Sequence, residues 1–185
     1  NMPVAVVSKE TSQGKILIPS QEAREKGVVA GLSYLSALGL VPELRVATVS
    51  QADINDGKAT VMKRLHNFYP KVQADTGDTG TFWLRASGLR HLYASLHRWG
   101  DNIRTDLCQI GFKAVIVIGF TRFGTFALAR KQRSKTIVLE DPKEEVAMAR
   151  SVLLQDLGLP RQIIQELTKL GMYTLEELLH LPAEG

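Results

Sequence analysis

Two short runs rich in β-branched residues, PVAVV from Pro3 and KILIP from Lys15, flank the polar stretch SKETSQG. Apolar runs of this length around a Gly-containing polar turn predict a β-hairpin with Gly14 near its tip. Ser20 then stands as an N-cap before SQEAREKG, a short helix that Gly27 stops, and a second short helix is expected over LSYLSAL, ahead of Gly39. LRVATV reads as a strand. In the segment after it, about residues 53–68, Ile54, Val61, Leu65 and Phe68 recur at helical spacing. KVQADTGDTGTFWLRA predicts a pair of strands or one long bent strand. The longest helix is expected next, over about residues 89–110, with Leu92, Leu96, Ile103 and Leu107 forming most of an apolar face and Gly100 inside it at a cost in helix propensity. FKAVIVIGF is a continuously apolar run of strand length and predicts a central strand buried on both faces. A helix over about residues 123–131 and the strand KTIVL follow.

The element order β-α-β-β-α-β is that of a ferredoxin-like domain, so the class is α+β. A boundary falls near Glu140. Asp141 as N-cap with Pro142 at the first helical position opens a helix through about Leu154, LPRQIIQELTKLG a second, and TLEELLHL a third that starts with the capping box Thr174 to Glu177. Leu175, Leu178, Leu179 and Leu181 are expected to form the core of this helical region. The chain thus divides into residues 3–53, 54–139 and 140–185.

Charge narrows the range of partners. The 23 Lys and Arg exceed the 19 Asp and Glu by four in 185 residues, an excess compatible with a phosphate-bearing partner. The densest basic run is RKQRSK, residues 130–135, with Arg122 nearby, and Arg85, Arg90, Arg98 and Arg104 are scattered before it. Each of these also reads simply as a solvated surface charge. Cys108 stands alone and four histidines are scattered, which gives neither a disulfide framework nor zinc-ligand spacing. His91 and His97 flank the long helix without an implied Ser or Cys partner. TSQGK lacks P-loop spacing and reads as a turn. No apolar run approaches the roughly 20 residues that span a bilayer, and Met2 leads straight into PVAVV without a basic segment and cleavage site, so an intracellular protein with no membrane partner is expected.

The chemistry in question lies in VQADTGDTGTFWLRASGL, residues 72–89. Asp75 and Asp78 sit in a Gly/Thr-rich turn before a strand, and the strand itself, TFWLRA, carries no acid. Together with SQEAREKGVVAGLSYLSAL, LVPELRV, VIVIGFTRFGTFALAR and LTKLGMYTLEELLHLP, in that order and spacing, this stretch resembles the Y-family (UmuC/DinB-like) translesion DNA polymerases, and within them the ImuB-type subgroup. The resemblance covers residues 3–182. It implies a small fingers subdomain over 3–53, a ferredoxin-like palm over 54–139 and an all-helical, helix-hairpin-helix-like thumb over 140–185. It also implies that the first palm strand lies ahead of residue 3, and that the little finger, the clamp-binding motif and the partner-binding tail lie beyond residue 185.

Polymerase palms transfer nucleotides with two magnesium ions, which requires several carboxylates converging from adjacent strands. The family supplies a neighbouring pair from S-I-D-E-A-F-L-D. Setting Trp83 and Leu84 as F-L puts Gly80 and Thr81 at the Asp–Glu pair and Arg85 at the last Asp. Sliding the register instead puts Asp78 at the Asp position and Thr79 at the Glu position, which still leaves one carboxylate. The resemblance therefore points to a degenerate site around Asp75, Asp78, Gly80 and Thr81, with no catalytic residue and no metal. In Y-E-A-R, Gln21 replaces the tyrosine while Arg24 keeps the cation that would contact phosphate. GFTRFGT has residues 122–124 where the family has P-N-K. DLGLPRQ keeps only Gly158 of a G-x-G hairpin, and Pro160 supplies no N–H, so weak anion binding is expected there.

What the subgroup implies is a catalytically inactive scaffold in a damage-induced mutagenesis assembly, bridging a sliding clamp, a RecA-like companion and an error-prone polymerase in the bacterial cytoplasm at the nucleoid. Weak, sequence-independent DNA binding through Arg24, Arg122, Arg130, Lys131 and Arg133 is expected with it. Two alternatives stay open: an active divergent polymerase that uses magnesium with carboxylates from the first palm strand plus Asp75 or Asp78, and an unrelated ferredoxin-like domain acting through protein contacts.

Overall fold

The polar turn after Val7 closes as the hairpin its sequence predicts. Strand β1 (Val4–Val7) pairs antiparallel with β2 (Ile16–Pro19), Ala5 opposite Pro19 and Val7 opposite Ile16. Gly14 is obligatory, because a Cβ there would collide with the Lys9 carbonyl oxygen. Along β1 the pleat sends Ala5 and Val7 into the core, 5% and 1% exposed, and leaves Val4 outside. Ser20 caps α1 (Gln21–Glu25): its Oγ accepts from the Ala23 N–H at 3.2 Å and from the Val4 N–H of β1 at the same distance. Helix α2 (Tyr34–Leu40) lies later than expected and runs through Gly39, because Ser33 is its N-cap. Strand β3 (Arg45–Thr48) returns parallel to β1 and completes a sheet of order β2-β1-β3.

This computed structural model describes residues 2–89, 92–132 and 135–180, the side chains of Gln21 and Arg161 excepted. Arg90, His91, Arg133 and Leu181 lie outside the described residues. The chain forms two units, Asn1–Thr60 and Val61–Gly185. The elements above belong to the first, around a core that includes Val7, Ile16, Val28, Ala37 and Val41. Helix α3 (Gln51–Leu65) follows, and its Val61 and Leu65 are buried in the second unit's core, as their helical spacing predicts.

In the second unit, β4 (Gln73–Ala74) and β5 (Phe82–Trp83) form a minimal antiparallel hairpin. Helix α4 (Leu96–Gln109) begins well after the predicted start, because the Ser95 hydroxyl accepts from the Arg98 N–H at 3.1 Å and fixes the N-cap there. Leu92, expected on the apolar face, is consequently outside the helix and 77% exposed. The buried face is Trp99, Gly100, Ile103 and Leu107. Strand β6 (Ile116–Ile118) pairs in parallel with β7 (Thr136–Val138). The expected central strand buried on both faces is instead one of two strands in a small sheet, three residues long, with Ile118 buried and Ile116 and Val117 half-buried; Ile116 and Ile118 pack with Trp99 and Ile103, and Val117 with Leu128 and Val152.

Between these strands lies α5 (Arg122–Lys131), capped by Thr121. Helix α6 (Pro142–Arg150) starts at Asp141 as predicted and ends earlier than expected; a 3-10 turn, Leu154–Leu157, takes over. Then come α7 (Arg161–Lys169) and α8 (Leu175–Leu179), the latter with the predicted capping box between Thr174 and Glu177. Leu175 is buried there, while Leu179, expected in the core, is 60% exposed. The α+β class holds. Among the described residues its strands are distributed over three small sheets, a partition that the element order did not specify.

Gly100 marks how closely α4 lies on the β6–β7 sheet. A Cβ at that position would stand 2.7 Å from Thr136 Cγ2 and 3.2 Å from Ile116 Cγ2. Helix propensity alone would favour Gly100→Ala by up to about 1 kcal/mol. Overpacking costs about 1–3 kcal/mol, so Gly100→Ala is expected to lower stability by about 1–2 kcal/mol, read from urea unfolding. A stabilising effect would mean that α4 is not held against the strands.

Candidate functional site

The two aspartates are consumed by the turn they stand in. Asp75 Oδ1 accepts from the backbone N–H groups of Gly77 at 2.8 Å and Asp78 at 3.0 Å, and its Oδ2 accepts from the Trp83 indole N–H at 2.9 Å. Its own N–H donates to the Thr81 carbonyl at 2.9 Å, closing the loop between β4 and β5. Asp78 repeats the arrangement: Oδ1 accepts from the Gly80 N–H at 3.0 Å, while Oδ2 is ion-paired with Arg130. Carboxylates that fold back onto backbone N–H groups two or three residues ahead are what Asp does in tight turns. The Trp83 indole, then the Gly77 and Asp78 amides, with a weaker pull from Arg122, hold the Asp75 carboxyl below its ordinary value.

Helix α5 supplies the other half of the constellation. Arg122 donates to Gln73 Oε1 at 2.7 Å, and its guanidinium carbon lies 5.2 Å from the centre of the Trp83 ring. Two turns on, the Arg130 guanidinium stacks on Phe126 at 5.1 Å while it pairs with Asp78. Residues 122, 126 and 130 follow the i, i+4, i+8 spacing of one helix face, so both ends of that face grip the hairpin. Arg130 also reaches the turn after the 3-10 segment: a Cβ on Gly158, whose φ is +76°, would stand 3.4 Å from its Nη2.

The N-terminus of α5 carries an anion from within the chain. Glu145, 1% exposed, accepts from the backbone N–H groups of Phe120 at 2.5 Å and Thr121 at 2.9 Å, and from the Thr121 hydroxyl. A helix start favours negative charge because its first N–H groups have no intrahelical acceptor. Here the α6 carboxylate already occupies that position, where the resemblance would place the P-N-K turn.

The structure therefore brings Asp75, Asp78, Arg122 and Arg130 together, with Gly80 and Thr81 in the same turn. Lys131 lies beside them in sequence but donates to Ser151 Oγ at 3.3 Å. Arg24 belongs to the first unit, exposed in the last turn of α1. Arg85 and Arg98 are exposed, and Arg104 pairs with Asp101 at 3.4 Å. Among the described residues no group of three or more His, Cys, Asp or Glu side chains is placed to hold a metal ion. No helix among them is long and apolar enough to cross a membrane. Sequence reasoning missed Gln73, Trp83, Phe126 and Glu145. Trp83 and Phe126 carried only their apolar character, and nothing local linked Glu145 to a turn more than twenty residues before it.

A profile of the impB/mucB/samB family matches residues 1–125, about two thirds of the chain. The chain is 26% identical over 184 residues to a DNA polymerase IV of Dehalococcoides mccartyi, covering 98% of this chain and 46% of that one. Its fold is similar to that of DinB from Sulfolobus solfataricus, with a TM-score of 0.71 at 14% identity, covering 98% of this chain and 54% of that one. A Dbh ternary complex gives the same TM-score at 15% identity, with 98% and 53% covered. This chain spans about half the length of these relatives.

Two outcomes are expected from this geometry. Because the Asp75 carboxyl is held below its ordinary value of 3.8, the stability it contributes is complete above about pH 4 and is lost as pH falls through the lowered value. Asp75→Asn is then expected to melt below the unaltered protein at pH 6, with the gap narrowing below pH ~4; a gap that does not change between pH 6 and pH 3 would contradict the assignment. Glu145→Ala removes a buried carboxylate that three donors ahead of α5 share and is expected to cost about 2–4 kcal/mol in urea unfolding, against little for its exposed neighbour Glu144→Ala.

Proposed function

The chain belongs to the impB/mucB/samB family, the Y-family-like DNA polymerases, and from that premise we propose that it is an ImuB-type member: a catalytically inactive polymerase-like protein that binds DNA and organises an error-prone polymerase assembly. The observation that carries this reading is the commitment of Asp75 and Asp78 to their own hairpin and to Arg130. Two-metal nucleotidyl transfer needs carboxylate oxygens that converge on open positions fixed to about half an ångström. Here the oxygens of Asp75 accept from three N–H groups, a guanidinium occupies Asp78 Oδ2, and Gly80 and Thr81 stand where the register puts the Asp–Glu pair. Neither alignment of this stretch offers a second acid.

DNA contact in this proposal is electrostatic and sequence-independent, made by Arg24, Arg122, Arg130, Lys131 and Arg133 with backbone phosphates. A sliding clamp, a RecA-like companion and the error-prone polymerase that performs synthesis belong to the proposal as partners. No residue of residues 1–185 is assigned to them. The place of action is the bacterial cytoplasm, at the nucleoid, in a damage response.

Primer extension with magnesium and all four nucleotides tests the reading, run beside the double variant Asp75→Ala and Asp78→Ala. No extension by either protein is expected, with DNA binding that weakens steeply as salt rises. Extension by the unaltered protein that the double variant abolishes would establish a magnesium-dependent polymerase that uses this turn. Binding that ignores salt would remove the phosphate-contact half of the proposal.

A further inference from the structure

Arg130 ties helix α5 to the hairpin. It pairs with Asp78 of the β4–β5 hairpin and stacks on Phe126 of its own helix. The pair is not sealed from solvent: the side chains of Arg130 and Asp78 are 39% and 21% exposed. A guanidinium held by a single carboxylate oxygen at a solvent-accessible position can exchange that partner for another oxyanion. Phosphate is the stronger competitor, since it presents several oxygens to the planar fork of N–H donors. Phe126 would keep the guanidinium in place during the exchange, because that contact does not depend on Asp78.

We propose that Asp78 is an internal phosphate mimic, an autoinhibitory carboxylate that occupies Arg130 until a nucleic-acid phosphate displaces it. The proposal rests on the DNA-binding reading above and gives that binding a built-in competitor. The β4–β5 hairpin is then the element that responds. With Asp78 displaced it keeps its Asp75–Trp83 closure and the Arg122 contact but loses its tie to the C-terminal end of α5. A phosphate contact through Arg130 must first break this ion pair, which weakens that contribution to binding.

Fluorescence anisotropy with a short fluorescein-labelled primer–template duplex tests it, across a range of salt, on the whole protein. Asp78→Asn removes the charge while leaving an amide oxygen to accept from the Gly80 N–H, so the turn is retained. It is expected to tighten binding by about two- to fivefold, the size of a partly exposed ion pair. The slope of log affinity against log salt should steepen by about 0.9, one added phosphate contact. In an Arg130→Gln background the same substitution should change nothing. Equal tightening in that background would mean a general charge effect, and no tightening in either would mean no competition; both overturn the latch while the DNA-binding reading stands. Absence of salt-sensitive binding in every protein overturns both. Should Asp78→Asn fail to fold, the Arg130 Nε–Hε resonance of the unaltered protein decides: a shift on saturation with the duplex supports the exchange, and an unmoved resonance overturns it.

Discussion

A buried carboxylate must be matched by donors, and the position of Glu145 determines much of the second unit. Its oxygens accept from the Phe120 and Thr121 amides and the Thr121 hydroxyl, which joins the start of α6 to the start of α5. Leaving such a group unmatched would cost several kcal/mol, so the two helices cannot separate without a large penalty. Gly119 and Gly124 are required for the same reason: a Cβ at either would collide with the Glu145 carboxylate. With its first turn fixed, α5 presents Arg122, Phe126 and Arg130 in one direction, and those residues grip the hairpin.

In the hairpin the acidic side chains serve the turn itself. Asp75 and Asp78 keep carboxylates in this segment, yet each oxygen is turned toward a donor within the second unit. Two residues per strand give little ladder hydrogen bonding, so the closure relies on side chains to a degree that a longer hairpin would not need. Trp83 serves both edges of this closure, its N–H on Asp75 and its ring under Arg122. Of the two carboxylates, Asp78 is ion-paired with Arg130, whereas Asp75 is matched by N–H groups.

Local signals in the sequence identified a good part of this. Ser20, Asp141 and the Thr174–Glu177 box were legible as caps because capping is a contact between residues two or three apart. The hairpin around Gly14 was legible from its turn chemistry, and the poverty of acids in TFWLRA from the residues alone. The helix start at Ser95 was not, since an apolar spacing beginning at Leu92 competed with a cap farther on, and the cap prevailed. Gly100 read as a weakness in a helix and is instead a point of close approach to Thr136 and Ile116.

Residue identity and spacing by themselves determined the α+β class, most element positions, the family resemblance and the absence of acids from TFWLRA. Each follows from interactions within a few residues, or from the order of segments along the chain. Tertiary structure alone decided which partner each charge took: Arg130 for Asp78, Trp83 and Arg122 around Asp75, and the α5 amides for Glu145. Those partners lie up to fifty-two residues apart. The Coulombic and hydrogen-bonding choices among them depend on distances that no local pattern encodes, and only the packing of α5 between α6 and the hairpin supplies them.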